Sequence, residues 1–216
     1  MTEEKKNHRS GHCLRTEFEI AEALANDKSV VEAFKKTGCW KFCEKFQGGH
    51  SQVTKEFALH FTSSNTKIGI LNLSITPETI ALVTKIRRGK YRWFKGFIFD
   101  MQTCKVFLKP EFAEIDLTNA IPRSYIEDTY ANLLFNIRRY FTSEGRYHKV
   151  YSYHFKLLLH FTGMISLDFP FFLYRSIAKM AAKVQMKSQG CETSLFHHGL
   201  IKLIVLHELQ RIKREW

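Results

Sequence analysis

The 216-residue sequence predicts a mainly α protein, a single helical domain with a small β element in its N-terminal half. Three observations carry that prediction. Four segments of the C-terminal half, Tyr125–Tyr140, Val150–Phe161, Phe171–Lys187 and Ser194–Lys213, repeat apolar residues at helical spacing. They are separated by Ser143-Glu144-Gly145, by Gly163 with Pro170, and by Gly190, all of which interrupt helices. Hydrophobic residues make up 44% of the chain, including 19 phenylalanines, so a large core can form and disorder over most of the length is excluded. Finally, only one stretch, Lys67 to Ile75, alternates as a strand does, and no fixed-period repeat or sustained heptad is present.

In chain order, residues 1–14 read as a disordered tail of mixed charge. Residues 15–216 form the helical domain, either undivided or as two lobes, 15–124 and 125–216. Thr16 to Phe46 has a helical pattern that closes near Gly38 and again at Gly48-Gly49. From Ser51, Val53, Phe57 and Phe61 recur at helical spacing and predict a short amphipathic helix that ends at Ser63-Ser64-Asn65. Ile68, Ile70, Leu73 and Ile75 then mark one short strand or hairpin arm. Thr76-Pro77-Glu78 supplies an N-cap with proline at the first helical position, so a helix runs to Thr84. Residues 97–124 contain Pro110 and Pro122 without a clean period and read as loops with short turns.

Charge is what suggests a partner. The formal net charge is +12, and the excess is uneven. Residues 51–100 hold eight Lys/Arg against three Asp/Glu, and residues 151–216 hold nine against four, whereas the other two quarters are nearly balanced. Concentrated cations point to an anionic partner more than uniform basicity would. Between Lys85 and Phe97 the chain reads K-I-R-R-G-K-Y-R-W-F-K-G-F, with six cations, four aromatics and no acid. Lys85, Arg87, Arg88, Lys90, Arg92 and Lys95 can follow a phosphate backbone while Tyr91 or Trp93 stacks on a base. The plainer alternative is that Trp93, Phe94 and Phe97 anchor the core and the cations form an exposed loop. A second basic group, Arg175, Lys179, Lys183 and Lys187, recurs every four residues beside the apolar stripe of Leu173, Ile177, Met180, Ala181 and Val184. It reads as a nucleic-acid contact, as a basic amphipathic face for an anionic membrane surface, or as a solvated helix face; the core's need for Leu173 and Ile177 argues against membrane insertion.

Other chemistries find little support. Cys39, Cys43 and His50 lack the fourth ligand of a zinc knuckle, and cysteines at i and i+4 read as buried thiols on a helix. His207-Glu208 lacks the second histidine of a metalloprotease helix. There is no phosphate-binding glycine loop and no Gly-x-Ser-x-Gly elbow, and the scarce acids form no spaced constellation for two-metal chemistry. No catalytic residue, metal or cofactor is expected. The polar N-terminus shows no secretory signal. The longest apolar run, Leu157–Tyr174, is interrupted by His160 and Asp168, so no membrane span is expected. Five cysteines at irregular spacing then fit reduced thiols in an intracellular protein of the nucleus or cytoplasm.

The order of segments resembles a known family. The runs W-K-F-C-E-K-F (Trp40–Phe46), Q-V-T-K-E-F-A-L-H-F (Gln52–Phe61) and I-L-N-L-S-I-T-P-E-T-I-A-L-V-T (Ile70–Thr84) are similar to the first half of plant transposon proteins, gag-like products of plant retroelements. R-Y-H-K-V-Y-S-Y-H-F-K-L-L-L-H-F-T-G (Arg146–Gly163) and L-D-F-P-F-F-L-Y-R-S-I (Leu167–Ile177) resemble its second half, so the resemblance covers roughly Lys35 to Leu209. It implies a helical domain of element origin with no established catalytic residues. Members often carry acids in the loop that is wholly basic here. The expected function is therefore non-enzymatic binding of RNA or single-stranded DNA, and the alternative is a protein-interaction or self-assembly module.

Overall fold

Asp27 opens the first described helix by accepting hydrogen bonds from the backbone N–H groups of Ser29 (3.1 Å) and Val30 (3.2 Å), which satisfies two of the donors a helix start leaves over. The computed structural model describes residues 27–44, 49–92, 101–142, 147–186 and 197–215. Helix α1 (Lys28–Lys36) ends at Gly38, which takes φ +76°, and α2 (Trp40–Glu44) follows immediately. The expected break at Gly38 is thus present; Thr16–Asn26 and Lys45–Gly48 lie outside the described residues.

Helix α3 (Ser51–Leu59) leads into a hairpin of β1 (Asn65–Ile68) and β2 (Leu71–Ser74), paired antiparallel from Asn65↔Ser74 to Ile68↔Leu71. The single strand expected over Lys67–Ile75 is therefore two strands around a turn at Gly69-Ile70. Ile70 sits at the tip, 93% exposed, rather than on the core face. Helix α4 (Pro77–Thr84) begins as its sequence predicts, with the Thr76 hydroxyl accepting from the Thr79 N–H at 3.2 Å.

After α4 the chain runs without regular helix through Arg92. The described part of 97–124 holds a single-turn helix α5 (Met101–Cys104) and short 3-10 turns at Lys105–Phe107 and Pro110–Phe112. A two-residue strand β3 (Ile121–Pro122) precedes α6 (Asp128–Phe141), and its partner β4 (Lys149–Val150) precedes α7 (Ser152–Phe161). This second small sheet was not legible in the sequence, because two residues are too few to alternate. Helix α8 (Phe169–Met186) and helix α9 (His198–Glu215) complete the described chain. The protein is mainly α.

One buried cluster joins the two halves of the sequence. Phe34 of α1 meets Phe161 of α7 at 5.0 Å and Phe141 of α6 at 5.8 Å between ring centroids, and Phe169 at the start of α8 lies 5.0 Å from Phe141. Offset and edge-to-face aromatic pairs add about 1 kcal/mol each beyond the area they bury. Helices α3 and α4 pack on α8, and α9 packs on α3, α4 and β2, so the first-half elements complete the second-half core. Gln185 of α8 fastens this contact, donating from Nε2 to the carbonyls of Ala58 (2.9 Å), in the last turn of α3, and Phe61 (2.8 Å), just beyond it.

Candidate nucleic-acid interface

The exit from α4 sets the position of the basic segment. Lys85 takes the left-handed conformation (φ +61°), Ile86 is driven into the core at 2% exposure, and the Ile86 N–H donates to the Thr84 hydroxyl at 3.2 Å. Gly89 then passes so close to residues 167 and 168 that a β-carbon would stand 2.0 Å from the Leu167 carbonyl oxygen. Tyr91 forms a parallel bridge with Leu167: its N–H donates to the Ser166 carbonyl (3.1 Å), and its carbonyl accepts from the Asp168 N–H (2.8 Å). The segment is docked against the start of α8 and is not a loop projecting from the surface.

Within this docking, Lys85, Arg87, Lys90 and Arg92 are exposed. The Lys90 ammonium sits 5.4 Å from the Tyr91 ring centroid, and the Arg92 guanidinium sits 5.8 Å from that of Phe171. Arg88 behaves differently. Its Nε and Nη2 donate to the two carboxylate oxygens of Asp168 at 2.7 and 2.5 Å, and Nη1 donates to Glu78. Asp168 is 2% exposed, and it also accepts from the Phe171 N–H at 3.3 Å. The hydrogen bonds that Arg88 donates to Asp168 raise the Arg88 pKa further, and the one it donates to Glu78 holds that carboxyl below the usual carboxylate range. Arg88, expected among the phosphate contacts, is thus engaged inside the protein as a bidentate clamp. Lys95, Trp93 and Phe94 lie outside the described residues.

Helix α8 places its cations as its period predicts. Leu173, Ile177, Met180, Ala181 and Val184 are buried, while Arg175, Lys179 and Lys183 are exposed; Lys187 lies outside the described residues. Phe171, which carries Arg92, is one turn before Arg175. The cationic segment and the ladder, separated by more than 80 positions in sequence, therefore meet end to end. At 1.5 Å per residue the path from Phe171 to Lys183 is about 18 Å along the helix.

Sequence reasoning missed Asp168, Glu78 and Phe171 as parts of this site. A lone acid within the apolar run of 157–174 was the available signal for Asp168, since a buried carboxylate needs a paired cation.

The remaining titratable groups read as parts of the fold. Cys39 and Cys43 are buried thiols; burial pushes Cys39 up to about 12 and raises Cys43 as well, so neither is a ready thiolate. His197 shares a 2.8 Å hydrogen bond with the Ser176 hydroxyl. Among the described residues no group of three or more His, Cys, Asp or Glu side chains could hold a metal ion, and no helix is long and apolar enough to cross a membrane. No family model, no curated protein and no solved structure matches this chain.

Proposed function

We propose that this chain is a non-enzymatic protein of transposable-element origin that binds RNA or single-stranded DNA along one cationic strip. The strip joins Lys85, Arg87, Lys90 and Arg92 to Arg175, Lys179 and Lys183. The observation that carries the reading is the seating of Arg92 on Phe171, one turn before the α8 ladder, which brings two distant basic groups into one surface. A linear run of cations suits a flexible polyanion, whose phosphates can track it without a matched shape. The element origin rests on the ordered segment resemblance from Lys35 to Leu209.

Replacing Lys85, Arg87, Lys90 and Arg92 with serine tests the reading. All four side chains are exposed, so the fold is expected to survive, as circular dichroism can check. The variant should lose retention of labelled single-stranded RNA at moderate salt. Unchanged retention with an intact fold rejects it. Self-assembly remains the second reading, favoured by Leu206 and Leu209 of α9, which stand 43% and 45% exposed one turn apart.

A further inference from the structure

A cleft of about 250 Å³ opens between the starts of α4 and α8, and both Arg88 and Arg92 line it beside Glu78, Thr76 and Tyr174. Asp168, which holds Arg88, is not part of the cleft lining, whereas Phe171, which holds Arg92, forms part of its wall. Arg88 is clamped from beneath through Nε and Nη2 by the buried Asp168, and Arg92 is held against the Phe171 ring. The remaining nitrogen of Arg88, Nη1, pairs with Glu78, whose side chain is 71% exposed.

The two legs of the Arg88 clamp differ in strength for a physical reason. The Asp168 leg lies where water is excluded, and losing it would leave a buried charge. The Glu78 leg is screened by solvent, and ion pairs so placed contribute little. Glu78 is thus an anion paired with Nη1 and free to be exchanged. Among the described residues no carboxylate is paired with Arg92.

We propose that this cleft is the seat for a terminal phosphate monoester of a bound strand, and that Glu78 occupies the phosphate position until the strand arrives. The proposal deepens, and rests on, the nucleic-acid reading above. A monoester brings three acceptor oxygens and close to two charges where the carboxylate has two oxygens and one charge, so it can bridge Arg88 and Arg92 together. A backbone diester, with one charge, would only exchange like for like with Glu78. The cleft, about 250 Å³ and open to solvent, has room for a phosphate group with the attached strand leading out of it.

The test uses the whole chain, wild type and with Glu78→Gln, with and without Arg92→Ser. The probes are inorganic phosphate and one single-stranded RNA oligomer bearing either a 5′-phosphate or a 5′-hydroxyl. Arg88 is left untouched because its loss would unfold the site. Wild type should bind the 5′-phosphorylated oligomer several-fold more tightly than the 5′-hydroxyl form, and inorganic phosphate should compete away that difference. Glu78→Gln should tighten phosphate and the phosphorylated oligomer by about tenfold, and adding Arg92→Ser should reverse the gain. Equal affinity for the two oligomers in both wild type and Glu78→Gln overturns the phosphate seat while leaving strand binding standing. Phosphate binding sharpened by Glu78→Gln, with no oligomer bound at all, upholds the seat and overturns the strand reading.

Discussion

His160 is a buried group that responds to a change of pH. Its Nδ1 accepts from the Leu167 N–H at 3.3 Å, its Nε2 meets no partner among the described residues, and its ring stacks on Phe169 at 5.3 Å. Burial pushes its pKa down to about 4, so the imidazole is neutral in the folded protein. An unfolded chain returns it to the ordinary value near 6.5 and takes up a proton that the folded chain refuses. This contribution to stability is full above about pH 6.5 and falls away as the pH drops toward 4, by up to about 3 kcal/mol. Denaturant unfolding at pH 7.5 and pH 5 checks the sign. A His160→Gln variant, whose side chain does not titrate, should lose less stability than wild type over that interval, whatever its stability at pH 7.5.

The segment after α4 and the start of α8 form one element through the Arg88–Asp168 clamp, the Tyr91–Leu167 bridge and the close pass at Gly89. Removing Arg88 leaves Asp168 buried without its countercharge. Arg88→Met should therefore cost about 3 kcal/mol, toward the low end for a buried pair because Arg88 itself is 30% exposed. Adding Asp168→Asn should recover much of the loss, since asparagine removes the orphaned charge and still accepts from the Phe171 N–H. Equilibrium unfolding of the two variants checks both statements. The sequence announces the helices of this assembly well because their signals are local. Thr76-Pro77 marks the start of α4, Gly38 ends α1, and the buried stripe of α8 repeats with the helical period. The hairpin was half legible: Ile68 and Ile70 keep one phase of alternation, Leu73 and Ile75 the other, and the change of phase is the turn. What joins Arg88 to Asp168 has no local signature at all. The partners lie 80 residues apart, so the exposed cations of the strip could be read from sequence but not which one of them the fold itself retains.

For the whole molecule, the proposed strip makes a quantitative statement about salt. Seven exposed cations, if all met phosphates of a single strand, would give a slope of log affinity against log salt of about −5. Changing Arg175, Lys179 and Lys183 to serine should lower the magnitude of that slope by about 2, and a titration of RNA affinity from low to moderate salt measures it. Loss of affinity without a change of slope would mean that the ladder acts through the fold and not through phosphates. The Tyr91–Leu167 bridge also orders events in time. Closing a loop of that length costs about 4 kcal/mol of chain entropy, which only late, cooperative packing of the second-half helices can offset. A chain still emerging from the ribosome carries the cationic segment long before it carries Leu167, Asp168 or Phe171. On the proposed reading, the full seven-cation strip is assembled only when the fold is complete, so the salt slope of strand binding would report how much of the chain has folded.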